Sequence, residues 1–414
     1  MRKIYSCVDI GSNSIKIIVC EYLDKKYNVL SSTIQETTSV RKGVVCDEQL
    51  FIDELHKALK NINNSLGIKI DKVILNVPIY DAKYTLVDGY TTITGEDNII
   101  TGEDMVNALQ ASIYNKIDKS EELVTIMPIK YILNDDEKIV IKEPRGLQAD
   151  KLKVFAIMIT VPKKNIYKVV SSVEKLGIEI VDILFGSIGD YTLFKDEVYD
   201  TSTVGVINFG TDKIELSIFN NGIITNSTII QYGTRNIDNY ISYVYNIKKS
   251  QAKRIKEIFA LADTEYASQS EVYEINNRSS IKTKISQYEV SQIISNRIKE
   301  ILQNSKKELN HLTKKEISYI IITGGISNIP GFESVAKEVF GDTYKKSEID
   351  IVGIRNNSYS SCMGMIVYFL NKLKIRGKSY SMFDEDKEVE LIDTKKNDNI
   401  FGKVFDYLIK SKED

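Results

Sequence analysis

Short apolar runs broken by small polar residues open the chain. Ile4 to Val8 is apolar, Asp9-Ile10-Gly11-Ser12-Asn13-Ser14 interrupts it, and Ile15 to Cys20 is apolar again. Runs of that length, bounded by Gly, Ser and Asn, predict two strands joined by a tight loop. Leu50, Leu55, Leu59, Ile62 and Leu66 then recur at helical spacing from about Asp47, with Gly67 as the stop. Lys72 to Val77 reads as a strand ending at Pro78.

Residues 82–162 read as a separate unit, in which alternating strands flank a helix opened by Thr101-Gly102-Glu103-Asp104, the spacing of a capping box. A strand from Val154 to Val161 closes it at Pro162, and a helix follows with Ile166, Val169, Val170, Val173 and Leu176 on one face and Gly177 at its end. The opening pattern then returns. Thr203 to Asn208 is apolar, Phe209-Gly210-Thr211-Asp212 is a turn, and Ile214 to Phe219 is apolar. A helix-rich stretch runs from about 234 to 312, and Ser318 to Thr323 forms a strand ending at Gly324-Gly325. Strands alternating with helices imply α/β layers, and the repeated hairpin implies two related halves with a site between them.

Composition narrows the chemistry. With 414 residues, two or more domains are expected at roughly 150 residues each. A formal net charge of −2 gives no global attraction to nucleic acid, and none is expected as a partner. The four cysteines are scattered without a CxxC pair, so a disulfide framework or zinc site is not expected. Two histidines are too few for a multi-His metal site and nearly exclude a Ser-His nucleophile. No signal peptide is read at the N-terminus and no apolar run approaches ~20 residues, so a reducing cytosol is the expected compartment. Gly377-Lys378-Ser379 mimics the end of a P-loop, but Lys372 stands where its first Gly belongs.

Three Gly-bearing turns, at 9–16, 208–212 and 323–328, each follow a strand. Backbone N–H groups in turns without bulky side chains suit phosphate oxygens, although a single such turn is more often structural. Two of them, one per half, could clasp a triphosphate, and the third could admit a flat base.

Val8-Asp9-Ile10-Gly11-Ser12-Asn13-Ser14-Ile15-Lys16 resembles the first phosphate loop of the actin, Hsp70 and sugar-kinase superfamily, in the version of the FtsA family of bacterial division proteins. Ile320-Ile321-Ile322-Thr323-Gly324-Gly325 with Pro330-Gly331 resembles that family's adenosine motif. Met127-Pro128-Ile129-Lys130-Tyr131 and Glu143-Pro144-Arg145-Gly146-Leu147 are similar to segments of its inserted subdomain. Gln251 to Lys256 resembles the helix that reaches the nucleotide, and Tyr359 to Tyr368 the closing helix.

The resemblance implies an actin/Hsp70-like two-lobed α/β fold with duplicated βαβ cores, an inserted small α+β (SHS2-type) subdomain and a C-terminal amphipathic helix on a linker. Subdomain 1A would comprise 1–81, 163–198 and the closing helix 351–376, with the insertion 1C at 82–162. Subdomain 2A would comprise 199–230 and 312–350, around a helical 2B at 231–311. The cofactors implied are ATP and Mg. Asp9 would hold a water of the Mg²⁺ shell, Gly11, Ser12, Asn13 and Ser14 would line the phosphates, and Lys16 would compensate charge. Asn208, Gly210, Thr211 and Asp212 would form the opposite clasp, joined by Gly233. Lys256 and Glu257 would face ribose and base, and Gly324, Gly325 and Ile326 the adenosine. From the residues alone, Lys256 and Glu257 read equally as a solvated helix face.

Two positions depart from the superfamily pattern. The second phosphate loop usually begins with Asp, and here it begins with Asn208; Gly186 stands where relatives carry a side chain near the attacking water. Hydrolysis is therefore expected to be slow or absent, with binding retained.

From Gly377 to Asn399 the chain is polar and rich in Asp, Glu and Lys, which reads as a flexible linker. Beyond it, Ile400, Phe401, Val404, Phe405, Leu408 and Ile409 fall on one helical face. That pattern fits a peripheral foot on the inner face of the cell membrane, with docking on the protein body as the other reading. With three Lys and three acidic residues in 400–414 the foot gains little from anionic lipid, so several linked in a filament would be needed for tight binding. The resemblance also implies self-association into filaments and binding of the FtsZ C-terminal tail, with Arg297 and Glu300 at matching positions. Those two residues read equally as an exposed i,i+3 pair. A PilM-type adaptor of a pilus or secretion assembly is the alternative function.

Overall fold

The computed structural model describes residues 2–136, 140–196, 202–354, 356–377 and 379–383. The first apolar runs form β1 (Lys3–Ile10) and β2 (Ser14–Leu23), an antiparallel pair to which β3 (Lys26–Glu36) adds beside β2. A small hairpin, β4 (Val40–Arg41) and β5 (Val44–Val45), leads into α1 (Glu48–Leu66). The Asp47 carboxylate caps α1 by accepting from the Leu50 amide, and Gly67 ends it at a φ of 79°, a left-handed conformation that glycine adopts without a Cβ clash. β6 (Lys72–Asn76) lies parallel to β1 on the other side.

The inserted unit is a sheet of its own. β7 (Lys83–Thr92), α2 (Gly102–Ile113), β8 (Glu121–Leu133), β9 (Val140–Ile141) and β10 (Lys151–Pro162) give the strand order β7-β10-β8-β9. Thr101 and Asp104 cap α2 reciprocally, and Met105 and Ala108 on that helix are buried in one cluster with Val87, Leu152 and Val154. α3 (Lys163–Lys175), β11 (Glu179–Leu184) and α4 (Gly186–Phe194) return to the first sheet, which is completed as β11-β6-β1-β2-β3.

The second half repeats the first. β12 (Thr203–Phe209), β13 (Ile214–Asn220) and β14 (Ile223–Ile230) pair antiparallel in sequence. α5 (Thr234–Val244), α6 (Lys249–Ile258), β15 (Val272–Asn276), β16 (Lys282–Ser286) and α7 (Gln287–Leu312) follow, then β17 (Tyr319–Thr323), α8 (Phe332–Phe340) and β18 (Tyr344–Lys345). Its order, β14-β13-β12-β17-β18, has the same sequence of antiparallel and parallel pairings as β3-β2-β1-β6-β11. β1, β12 and β17 are central strands covered on both faces, which is why they read as continuous apolar runs and not as alternating ones. α9 (Ser360–Ile375) closes back on the first half.

Two expectations are corrected. The helical subdomain expected at 231–311 also contains strands: β15 and β16 form a hairpin, because Val272, Glu274, Lys282 and Lys284 alternate with inward residues around a turn in which Ser280 has a φ of 59°. The segment read as a flexible linker from Gly377 is docked at its start. The Met382 amide donates to the Ile4 carbonyl at 2.9 Å, the Tyr5 hydroxyl donates to the Tyr380 carbonyl at 2.7 Å, and Met382 and Phe383 are buried. Apolar Tyr380, Met382 and Phe383 drive that contact, ahead of the charged run. The run Ile400 to Ile409 lies outside the described residues. No helix among the described residues is long and apolar enough to cross a membrane.

α4 and α9 touch backbone to backbone. A Cβ on Gly364 would sit 1.9 Å from the Gly189 carbonyl oxygen, and one on Gly189 would sit 2.4 Å from the Ser361 carbonyl oxygen. Neither obstacle is a flexible side chain, so the helices must separate to admit a methyl group. Gly364→Ala is expected to destabilise the protein by at least about 1–3 kcal/mol, read as a lower midpoint in thermal or urea unfolding. An unchanged midpoint would mean that this helix pair gives way freely.

Candidate functional site

The two hairpin loops are built alike. The Gly11 amide donates to the Ser14 carbonyl at 2.9 Å, and the Gly210 amide donates to the Lys213 carbonyl at 3.0 Å. A Cβ at Gly11 would lie 3.1 Å from the first acceptor, and one at Gly210 would lie 2.7 Å from the second. The third turn follows β17, where Gly324 has a φ of 97° and the Phe209 carbonyl oxygen would lie 2.4 Å from a Cβ. All three turns open on one cleft of about 730 Å³ between the halves, a size in the range of small-ligand sites.

Ion pairs line this cleft. Asp9, nearly buried, accepts from Lys16 Nζ at 3.1 Å and from Asn76 Nδ2 at 2.6 Å. Burial pulls the Lys16 ammonium pKa down, but Asp9 beside it, together with Cys362 and Asp190, raises it above its ordinary value. Lys213 pairs with Glu215 at 2.5 Å, and buried Lys256 pairs with Asp238 at 2.6 Å. Lys253 reaches across the halves to Glu36 at 3.2 Å. The β4–β5 hairpin also bridges them, with the Lys42 amide donating to Asp212 Oδ2 at 3.3 Å.

Behind the second loop lies Asp190, fully buried on α4 and absent from the residues singled out in the sequence. Its carboxylate accepts from Asn208 Nδ2 at 2.7 Å, Thr323 Oγ1 at 2.8 Å, Ser360 Oγ at 2.6 Å and Ser361 Oγ at 3.1 Å. Burial pushes its pKa up to about 6, against the hydrogen bonds from Ser360, Thr323, Asn208 and Ser361 that favour the ionised form. This contact explains Asn208. An aspartate there would set a second carboxylate 2.7 Å from the buried Asp190 oxygen, where the two would repel if both were ionised. At Gly186 there is likewise little room: a Cβ would lie 3.2 Å from both Asn76 Nδ2 and Ser361 Oγ.

Of the residues singled out, Asp9, Gly11, Ser12, Asn13, Ser14, Lys16, Asn208, Gly210, Thr211, Lys256, Glu257, Gly324, Gly325 and Ile326 lie on the cleft wall. Lys256 is turned into Asp238, and Glu257 is exposed. Asp212 and Gly233 stand behind the wall: Asp212 is paired with Arg235, and Gly233 presses on the Gly210 and Thr211 carbonyls. Arg297 and Glu300 are remote from the cleft on α7, paired at 2.7 Å, with the guanidinium stacked 4.0 Å from the Tyr240 ring centre. Asp190, Arg235, Asn76 and Asp238 were not singled out. The one available signal for Asp190 was a lone acid in the otherwise uncharged stretch 186–194.

Two repeated sheets whose hairpin loops face each other across a cleft define an actin-like protein, and solved structures agree. The chain matches a PilM–PilN type IV pilus biogenesis complex (10% identity, TM-score 0.57, 88% of this chain and 98% of that one). It also matches MreB 5 of Spiroplasma citri bound to AMPPNP (14% identity, TM-score 0.53, 90% of this chain and 97% of that one). At the level of sequence, 205–364 match the family model for cell division protein FtsA, and 82–160 match the SHS2 domain inserted in FtsA, together more than half of the chain. Cell division protein FtsA of Enterococcus hirae is 24% identical over 370 residues, covering 89% of this chain and 83% of the relative. That of Bacillus subtilis is 24% identical over 381 residues, covering 91% and 86%. The chain belongs to the FtsA family.

Asp190 sets a pH dependence whose sign follows from its raised pKa. Its folded form binds a proton more tightly than its unfolded form, so its contribution to stability is fully present below about 3.8 and is lost as pH rises through about 6. Between pH 7.5 and pH 5 the wild type is expected to gain about 1 kcal/mol relative to Asp190→Asn, measured by urea unfolding of both proteins. A gap that does not change with pH would contradict the buried-carboxylate reading.

Proposed function

We propose that this chain is an ATP-binding division protein that polymerises and anchors FtsZ filaments to the cytoplasmic membrane at the division septum. The observation that carries the reading is the pair of matched loops across one cleft, in a chain whose inserted unit matches the FtsA type. The loop amides of 12–13 and 211, flanked by Lys16, Lys213 and Arg235, suit a polyphosphate. The turn at Gly324–Gly325, with Ile326 beneath it, suits the adenosine. Asp9 has one hydrogen-bond partner on each oxygen, which leaves acceptor capacity for a water of a Mg²⁺ shell. Bound Mg–ATP would supply the charge that draws the loops of the two halves onto one ligand.

Hydrolysis is proposed to be slow. Asn208 is committed to Asp190 and Ser361, Gly186 offers no side chain, and four of the five acids lining the cleft (Asp9, Glu36, Glu215, Asp238) are each ion-paired, while the fifth, Glu257, stands on α6 at the proposed ribose and base end. None of these groups is placed as an open general base. The surface of α7 around Arg297, Glu300 and Tyr240 is the proposed dock for the FtsZ tail: an arginine held flat on an aromatic ring suits a carboxylate-bearing peptide. The apolar positions Ile400, Phe401, Val404, Phe405, Leu408 and Ile409 are the proposed membrane foot.

A PilM-type adaptor is the second reading. An apolar groove of about 860 Å³ between the inserted unit and the first half, lined by Leu109, Leu123, Ile166 and Tyr368, suits a partner's segment.

With purified protein, phosphate release is expected to stay near that of a metal-and-buffer blank while ATP still binds; turnover well above the blank would overturn the slow-hydrolysis reading. Vesicle co-sedimentation with FtsZ and ATP separates the two functions. FtsZ is expected to pellet with the full chain, to stay in solution with a chain ending at Asn397, and to pellet about 10-fold less tightly with Arg297→Ala. If the full chain pellets and FtsZ does not, the pilus-type adaptor takes precedence.

A further inference from the structure

We propose that Arg235 reads the last phosphate of a nucleoside triphosphate and makes this cleft prefer a triphosphate to a diphosphate. The inference rests on the nucleotide reading above and deepens it by naming the residue that counts phosphates.

The second loop contains an oddity for a phosphate clasp, the carboxylate of Asp212. A negative charge beside a phosphate site repels the ligand unless it is neutralised. In this chain Arg235 Nε donates to Asp212 Oδ1, and the Lys42 amide donates to Asp212 Oδ2 at 3.3 Å. What the pair offers to the cleft is the guanidinium, since Arg235 lines it and Asp212 does not.

The backbone fixes where that guanidinium stands. Gly233 lets α5 press on the loop, since a Cβ there would lie 2.4 Å from the Thr211 carbonyl oxygen. The Thr234 and Arg235 amides then donate to the Gly210 and Thr211 carbonyls at 3.1 and 2.9 Å. From this anchored helix start the side chain crosses the cleft, and its Nη2 donates to the Ser12 carbonyl of the first loop at 3.5 Å. One guanidinium therefore spans both phosphate loops, one from each half. Of its five N–H groups, those two contacts occupy two among the described residues, and the side chain is 35% exposed. With the base at the Gly324–Gly325 turn, a triphosphate reaches between the loops one phosphate further than a diphosphate. The planar fork at the loop junction is the group that meets it.

The test is the affinity of the full chain for Mg–ATP and Mg–ADP, by calorimetry, in wild type, Arg235→Ala, Arg235→Lys, Asp212→Asn and the double variant Asp212→Asn/Arg235→Ala. Arg235→Ala is expected to weaken ATP about 10- to 100-fold, the size of a lost hydrogen bond to a charged group. ADP is expected to change less than about 3-fold, which also shows that the cleft is still folded. Removing the exposed carboxylate in the double variant is expected to restore part of the ATP affinity. Arg235→Lys, which keeps the charge and loses the fork, falls between wild type and Arg235→Ala and serves if the alanine variant does not fold. Equal losses for ATP and ADP, or no loss for either, overturn the role of Arg235 while leaving nucleotide binding intact. A wild type that binds neither nucleotide removes the nucleotide reading itself.

Discussion

Where the two halves meet, Asp190 places a carboxylate with no exposure to solvent. It is made tolerable by four donors from three places: Asn208 at the end of β12, Thr323 at the end of β17, and Ser360 and Ser361 at the start of α9. Its own helix, α4, lies against α9 so closely that Gly189 and Gly364 meet backbone to backbone. The second hairpin loop is thereby tied to the closing helix of the first half. The rest of the cleft inherits its geometry from this junction, because β12 and β17 carry the Gly210 and Gly324 turns directly beyond their contacts with Asp190.

The same junction accounts for Asn208. Read against the superfamily pattern, an amide at the start of the second phosphate loop is a lost charge. Read with Asp190, it is the partner that a buried carboxylate requires, since an amide donates where a second carboxylate would repel. The carboxylate sits one layer deeper, where it joins β12, β17 and α9. This arrangement supports the proposal that the cleft holds a nucleotide between two halves and cleaves it slowly.

Much of the fold was legible because its signals are local. The runs at 4–8 and 203–208, the caps Asp47 and Thr101, and the stops Gly67 and Gly177 each act within a few residues, and each marks an element boundary in the structure. The repeated strand–loop–strand pattern exposed the duplication, which the sheet orders reproduce. What escaped was set by contacts between distant segments. Asp190 gains its partners from residues 208, 323, 360 and 361; Arg235 gains its meaning from Ser12; Lys256 is turned inward by Asp238. The hairpin 272–286 was missed because strong helical periodicity on both sides of it swamped a short alternating pattern. The docked segment 380–383 was missed because a charged run follows it at once.

The central claim is that one nucleotide touches both halves, and hydrogen exchange with and without Mg–ATP tests it most directly. Added protection is expected together in 10–16, 209–213 and 324–329, the three turns that share the cleft. Protection confined to the loops of one half, or none in any of the three, would contradict the account.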